Sequence, residues 1–286
     1  MSNKALTISL DLEDHLAGSH RPPRYLKPTH EFLDLLEELN AKATFFVVGN
    51  LAVEDPELTN TIAARGHEVA LHSYQHTPLV EEHPETYGQK LQFAKSKIED
   101  LIGRAVVGFR APSFSLVWNT EWITDVLINL GFTYSSSVLP AENPLFGYPG
   151  APQDAFKWPN GLIEIPTPLA KVLGITLPYL GGTYLRYLPE KTIFNRLSRT
   201  DLIAPWLYCH PYDFDHKEPF FRFPHTALWM SLLLCANRKN TSTKIARLLR
   251  ATKIAPPFGE RVNTEDFANL AVFRAASGPV AGARLG

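Results

Sequence analysis

Glu68-Val69-Ala70-Leu71-His72-Ser73-Tyr74-Gln75-His76 is a short apolar strand that runs directly into two histidines at i and i+4. On a helical turn those positions share one face. Two imidazoles on one face can hold one metal ion. Taken alone the pair is weak evidence, because a chain with 10 histidines produces such spacings by chance. Its meaning depends on what stands at the ends of the other strands.

Working outward, strand and helix alternate with short connections. Leu6-Thr7-Ile8-Ser9-Leu10 reads as a strand that ends at Asp11-Leu12-Glu13-Asp14. Three carboxylates so close repel one another, which a metal or a catalytic task would explain. Residues 31–39 form an amphipathic helix with Phe32, Leu35, Leu36 and Leu39 on one face. Residues 43–48 are apolar at nearly every position, as in a strand covered on both sides in a parallel sheet. Asp55-Pro56 opens a helix that Gly66 closes, and residues 84–102 form a long helix capped by Gly103. A strand at 106–109 ends in Arg110-Ala111-Pro112-Ser113-Phe114. A helix at 118–130 and a strand beginning at 132 follow. This alternation predicts βαβ units closing into a parallel sheet or barrel. In barrels of that kind the site lies at the C-terminal ends of the strands.

From 140 to 189 the alternation breaks into a stretch dense in Pro, Gly and aromatics, with a strand at Ile163-Glu164-Ile165. Residues 190–199 are helical. Trp206-Leu207-Tyr208-Cys209 is a buried strand ending at His210-Pro211-Tyr212-Asp213-Phe214-Asp215. Two further helices are expected near 225–235 and 242–250. The tail from Pro256 has weak patterning and is expected to be poorly ordered.

The bulk numbers limit the function classes. Net charge is -1 over 286 residues, with no long basic block, which speaks against an electrostatic nucleic-acid binder. Two cysteines are too few for a disulfide framework, and the N-terminal apolar segment is too short for a signal peptide. The expectation is a soluble cytoplasmic protein. The longest apolar run, 227–236, is far shorter than the roughly 20 residues of a spanning helix. It reads as a buried helix, with a membrane-surface position as the alternative.

The strand-end groups make a hydrolytic set. Two histidines and one carboxylate leave part of a zinc-type coordination sphere open. A second carboxylate can act as base on water, an arginine beside it would orient it, and a separate histidine can protonate a leaving group. At this point the chain resembles the NodB-like polysaccharide deacetylases, carbohydrate esterase family four, over about residues 6–215. Asp11…Asp14 resembles the first family motif, and His72-Ser73-Tyr74-Gln75-His76 matches the second, His-Ser/Thr-x-x-His. Arg110-Ala111-Pro112 resembles the third, and His210 after an apolar strand resembles the last. The nearest branch has Asp-Val-Glu-Asp at the first motif and is linked to bacterial exopolysaccharide and lipid-linked glycan assembly.

The resemblance implies a distorted (β/α)7-type barrel, with residues 1–223 as the deacetylase domain, 224–255 as a helical extension and 256–286 as the tail. It implies Asp11 as general base with Arg110 as its partner, and His210 as general acid. His72, His76 and one first-motif carboxylate would bind a divalent metal, zinc above all. Asp14 is the favoured third ligand and Glu13 the alternative. Ser113, Phe114 and Tyr212 would contact the substrate, with a backbone N–H around Ser113 serving the oxyanion. Ser135 stands where the branch carries Asp, so His210 needs another partner, Asp213 or Asp215. The expected activity is N-deacetylation of an amino sugar in a glycan or glycan precursor, with peripheral membrane contact if that precursor is lipid-linked. The rivals are an allantoinase-like hydrolase of a non-sugar C–N bond and a catalytically silent glycan-binding relative.

Overall fold

The computed structural model describes residues 5–17, 20–172, 174–222 and 227–275. Ten strands follow in chain order: β1 (Thr7–Leu12), β2 (Thr44–Val47), β3 (Glu68–Leu71), β4 (Gly108–Phe109), β5 (Tyr134–Ser135), β6 (Phe156–Lys157), β7 (Ile163–Glu164), β8 (Ala170–Val172), β9 (Ile175–Leu177) and β10 (Trp206–Cys209). Eight of them make one curled half-barrel sheet in the order β10-β1-β2-β3-β4-β5-β7-β6. Every neighbour pair in it is parallel except β6–β7. β8 and β9 form a separate hairpin. The βα alternation thus yields the α/β half-barrel expected of it, with β1, first in the chain, central between β10 and β2.

Alternation along the strands sorts the side chains by face. Ile8, Leu10 and Leu12 of β1, with Phe45 and Val47 of β2, pack outward against the helices. Phe46, Ala70, Tyr134, Trp206 and Tyr208 fill the inside. Ser9 and Asp11, on the inner face of β1, meet the guanidinium of Arg110.

The helix signals place their elements closely. Asp55 accepts a hydrogen bond from Leu58 N–H at the start of the helix Pro56–Ala64. The helix Pro84–Ile102 ends at Gly103, whose φ of 64° is the left-handed cap that favours glycine. The first helix runs Leu26–Glu38, beginning earlier than its apolar stripe, and the helix expected at 118–130 is confined to Trp122–Asn129. The helix expected near 225 starts, within the described residues, at Leu228.

The expectation of a poorly ordered tail from Pro256 does not hold through Ala275. Phe258 is fully buried, its ring 6.0 Å from that of Phe46, 5.7 Å from Tyr134 and 5.7 Å from Trp206. Arg261 donates to Thr7 Oγ1 and Ile203 O. Phe273 N–H donates to Lys157 O at the sheet edge. The segment was illegible as structure because it has no periodicity of its own; it is held by complementarity to the inner end of the barrel. Burying one Phe contributes about 1.5–3 kcal/mol, which offsets the ordering of only one or two residues; Val262 and Phe267 are buried with it, and the Arg261 and Phe273 hydrogen bonds add to the hold. Residues 276–286 lie outside the described residues.

Candidate active site

The strand ends β1, β3, β4 and β10 converge. Glu13, His72 and His76 place one ligand atom each within 4.8 Å of one another. The two histidines do not meet on a helical turn. They leave β3 in a loop where Ser73 (φ 61°) and His76 (φ 57°) both adopt left-handed backbone, held by His76 N–H donating to Ser73 Oγ at 2.9 Å. Their rings lie 4.9 Å apart.

Asp14 is not in this group. Its Oδ1 accepts Leu16 N–H at 3.0 Å, and its carbonyl accepts Ala17 N–H, so it builds the turn after β1. Glu13 stands two residues beyond Asp11, one past the end of β1, and meets His72 and His76 on the side that Asp11 faces. The third donor in the cluster is therefore Glu13, the alternative of the sequence reading.

The donor set suits a divalent ion. His72 Nδ1 lies 2.8 Å from the Arg110 carbonyl, which can only accept, so Nδ1 carries the proton and Nε2 offers its lone pair. Burial pushes His72 down to about 4, opposed by the charges of Asp11 and Glu13, and this keeps the imidazole neutral as a ligand must be. Burial would raise the Glu13 carboxyl, but His76, with His210 and His72, holds it well below the carboxylate range. His76 is pushed down by burial and more than restored by Glu13, so its pKa ends above the usual value. Two imidazoles and a carboxylate with an open side are the three-ligand pattern of catalytic zinc sites.

Asp11 faces this cluster and is held by Arg110. Arg110 Nη1 donates to Asp11 Oδ1 at 2.5 Å and to Ser9 Oγ at 3.0 Å; Nε donates to Ser136 O at 3.2 Å. The guanidinium is fully buried, with its carbon 3.9 Å from the centre of the Phe46 ring and 4.4 Å from that of Trp206. Such contacts recover part of the cost of burying the charge.

His210 closes the site opposite. Its backbone N–H and its Nδ1–H both donate to Asp213 Oδ2, at 2.9 and 3.0 Å, across the short helix Pro211–Phe214. Nε2 then points into the site, 3.9 Å from Asp11 Oδ2. Burial alone would lower the His210 pKa. The Asp213 hydrogen bond and the charges of Glu13, Asp213 and Asp11 outweigh it and push His210 up to about 9. Asp213 is paired in turn with Arg186 at 2.9 Å, both side chains fully buried. The backbone passes close here: a Cβ on Gly182 would lie 2.1 Å from Asp213 Oδ2. Asp215, the other candidate partner, is engaged by Arg24.

Ser135 takes a different part. Its hydroxyl donates to Ser137 Oγ at 2.8 Å, and Ser137 Oγ accepts Ala111 N–H at 2.8 Å, which steadies the loop after Arg110. Of the expected substrate contacts, Ser113 is exposed and, like Phe114, sits at φ 55°. Phe114 is buried against Tyr208, ring centres 5.2 Å apart. Tyr212 is buried and stacks on His210 at 4.6 Å and 9°. Arg186 and Ser136 were not found from the sequence, since only the tertiary fold brings them in.

A polysaccharide deacetylase family model matches residues 23–135, and a model described as a domain of unknown function (DUF3473) matches residues 136–256. The chain is 31% identical over 101 residues to a peptidoglycan-N-acetylglucosamine deacetylase of Bacillus cereus, covering 35% of this chain and 37% of that protein. It is 31% identical over 99 residues to a chitooligosaccharide deacetylase of Azorhizobium caulinodans, covering 34% of this chain and 46% of that protein. The chain thus spans less than half the length of these curated relatives. Among solved structures it is similar to a Mycobacterium smegmatis protein described as a polysaccharide deacetylase, with a TM-score of 0.53 at 21% identity over 90% of this chain and 94% of that one. It is also similar to a CE4 family pseudoenzyme of Bacillus anthracis, with a TM-score of 0.51 at 14% identity over 92% of this chain and 67% of that one. At these identities the likeness is one of fold.

Proposed function

The chain carries a polysaccharide deacetylase domain of the NodB/CE4 family, and from that premise we propose that it is a divalent-metal-dependent hydrolase that removes N-acetyl groups from an amino sugar in a bacterial polysaccharide or glycan precursor. The observation that carries this reading is the convergence of Glu13, His72 and His76 beside Asp11–Arg110, with His210–Asp213 facing them.

Glu13, His72 and His76 would hold the ion, for which zinc suits the two imidazoles best. When bound, the ion supplies Lewis-acid polarisation of the amide carbonyl and eases deprotonation of water. Asp11 takes the proton of the attacking water. Arg110 keeps one Asp11 oxygen occupied, so the other faces the reactants. The water oxygen bonds to the acetyl carbon, and a backbone N–H near Ser113 donates to the oxyanion that forms. His210, whose Nδ1–H is committed to Asp213, gives its Nε2 proton to the sugar nitrogen as the C–N bond breaks. Acetate and the free amine leave. Ser113, Phe114 and Tyr212 border the substrate. We place the reaction in the cytoplasm on the two free cysteines, Cys209 and Cys235.

The test is acetate release by zinc-loaded protein from N-acetylated oligosaccharides, nucleotide sugars and lipid-linked sugars, with the amine measured in step. Release from at least one class is expected. Zinc-loaded protein that cleaves only non-sugar amides would overturn the reading.

A further expectation concerns pH. The acid must be protonated, so activity falls as pH rises through the His210 pKa, and Asp213 raises that pKa. Asp213→Asn removes the carboxylate charge. It should move the alkaline limb of the kcat profile to lower pH and lower kcat by about 10²-fold or more. An alkaline limb that stays in place would remove Asp213 from this role.

A further inference from the structure

We propose that the helix Leu228–Cys235 and the adjoining Phe220 form a docking surface for a lipid bilayer with anionic headgroups. The helix reads Leu-Trp-Met-Ser-Leu-Leu-Leu-Cys, and a helix apolar on all sides is normally buried. Here Ser231 is the buried residue, while Leu228 is 53% exposed, Trp229 63% and Leu232 51%. Leu233 and Phe220 are exposed beside them. The helix has 8 residues, and no helix of the described residues is long and apolar enough to cross a membrane. It suits lying on a bilayer rather than spanning one.

Charge selects the occupant. From 217 to 253 the sequence has Glu218 as its sole acid against eight Lys and Arg, in a chain of net charge -1. Glu218 is consumed internally by His15 and Arg238, and Arg247 and Arg250 are paired with Glu190 and Glu38, so the cations left for a partner are chiefly those next to the apolar segments in the sequence. Lys217, Arg222 and Lys239, which flank the apolar segments in the sequence, are exposed, as is Arg21. Arg21 lies over the Phe221 ring and donates to Phe220 O. Cys235 Sγ–H donates to Phe221 O at 3.3 Å, which ties this loop to the helix. Apolar side chains with Trp among them, flanked in the sequence by exposed cations and with Arg21 over Phe221, match an anionic membrane surface better than another protein copy, whose like charges would repel.

The patch is coupled to the site opening. Arg238 donates to Leu234 O of the helix and to Glu218. Glu218 holds His15, whose ring meets Tyr212, and Tyr212 stacks on His210. Docking would therefore bring the opening to glycans carried at the bilayer, a consequence that rests on the deacetylase reading. The docking itself does not require turnover.

The test is co-sedimentation of the full chain with phosphatidylcholine vesicles and with vesicles containing about one third phosphatidylglycerol, with Trp fluorescence recorded. Binding to the anionic vesicles is expected to be roughly tenfold stronger, with a blue shift, and weakened by about 0.5 M salt. The double variant Trp229→Ser/Leu232→Ser should lose about tenfold in binding, and so should Arg222→Glu/Lys239→Glu. Circular dichroism and zinc content should stay those of the parent. No vesicle binding by the parent protein, or binding unchanged in both variants, overturns the proposal. So does a dimer in light scattering that Trp229→Ser/Leu232→Ser dissolves, which would make a second copy the occupant.

Discussion

Glu13→Gln should strip the protein of its metal and with it acetate release, whereas Asp14→Asn should leave both near the parent level. Glu13 shares the cluster with His72 and His76, and Asp14 is spent on the turn through Leu16 N–H. Gln keeps the length and shape of Glu13 but offers a neutral oxygen in place of the anion. It also removes the negative charge that raises His76 and opposes the burial of His72. Metal affinity measured by chelator competition should fall by at least about 100-fold for Glu13→Gln, a loss at the upper end of that seen for residues that merely support ligands. Asp14→Asn should cost only a little stability, because Asn can accept the same turn hydrogen bond. If Asp14→Asn loses the ion and Glu13→Gln keeps it, the assignment of the third ligand is reversed.

Asp11→Asn should be the most damaging change that leaves the ion in place. Asn accepts the hydrogen bond from Arg110 but cannot take a proton from water. A loss of about 10³-fold or more in kcat is expected, with zinc stoichiometry unchanged. Stability should fall as well, because the fully buried Arg110 loses its counter-charge. Breaking a buried pair costs about 3–5 kcal/mol, and the remaining amide hydrogen bond with the Phe46 and Trp206 faces limits the damage to the lower part of that range. A melting curve recorded alongside the kinetics separates the two effects. Parent-like turnover in a folded, zinc-loaded Asp11→Asn protein would require a different base.

How much of the site was legible turns on where β1 ends. Ending the strand at Leu10 leaves Glu13 and Asp14 free to face anywhere, and the third ligand stays open. The strand in fact runs to Leu12. Continued one residue past that end, its alternation points Glu13 to the side of Asp11, so a longer strand would have favoured Glu13 over Asp14. His72 and His76 were legible as a pair, but for a geometry they do not use: the loop relies on left-handed backbone at Ser73 and His76, which spacing cannot reveal. Asp213 was legible as one of two partners because it lies one short turn from His210. Arg186 was not, since its pairing depends on how the helix Gly182–Tyr187 settles beside β10. The same limit applies to Phe258 and Arg261, whose places are set by a cavity made of other strands.

That cavity has a consequence for biosynthesis. Asp11 and Arg110 come from the first half of the chain, yet the floor beneath them, Phe258 with Arg261, comes from near its end. The strand that carries Asp11, β1, also waits for β10 before both its edges are paired. A chain emerging N-terminus first would hold its base–arginine pair over an open, wettable interior until those late residues arrive. The base–arginine pair is thus enclosed late, by a segment that meets Arg110 only from beneath, through the Phe258 ring.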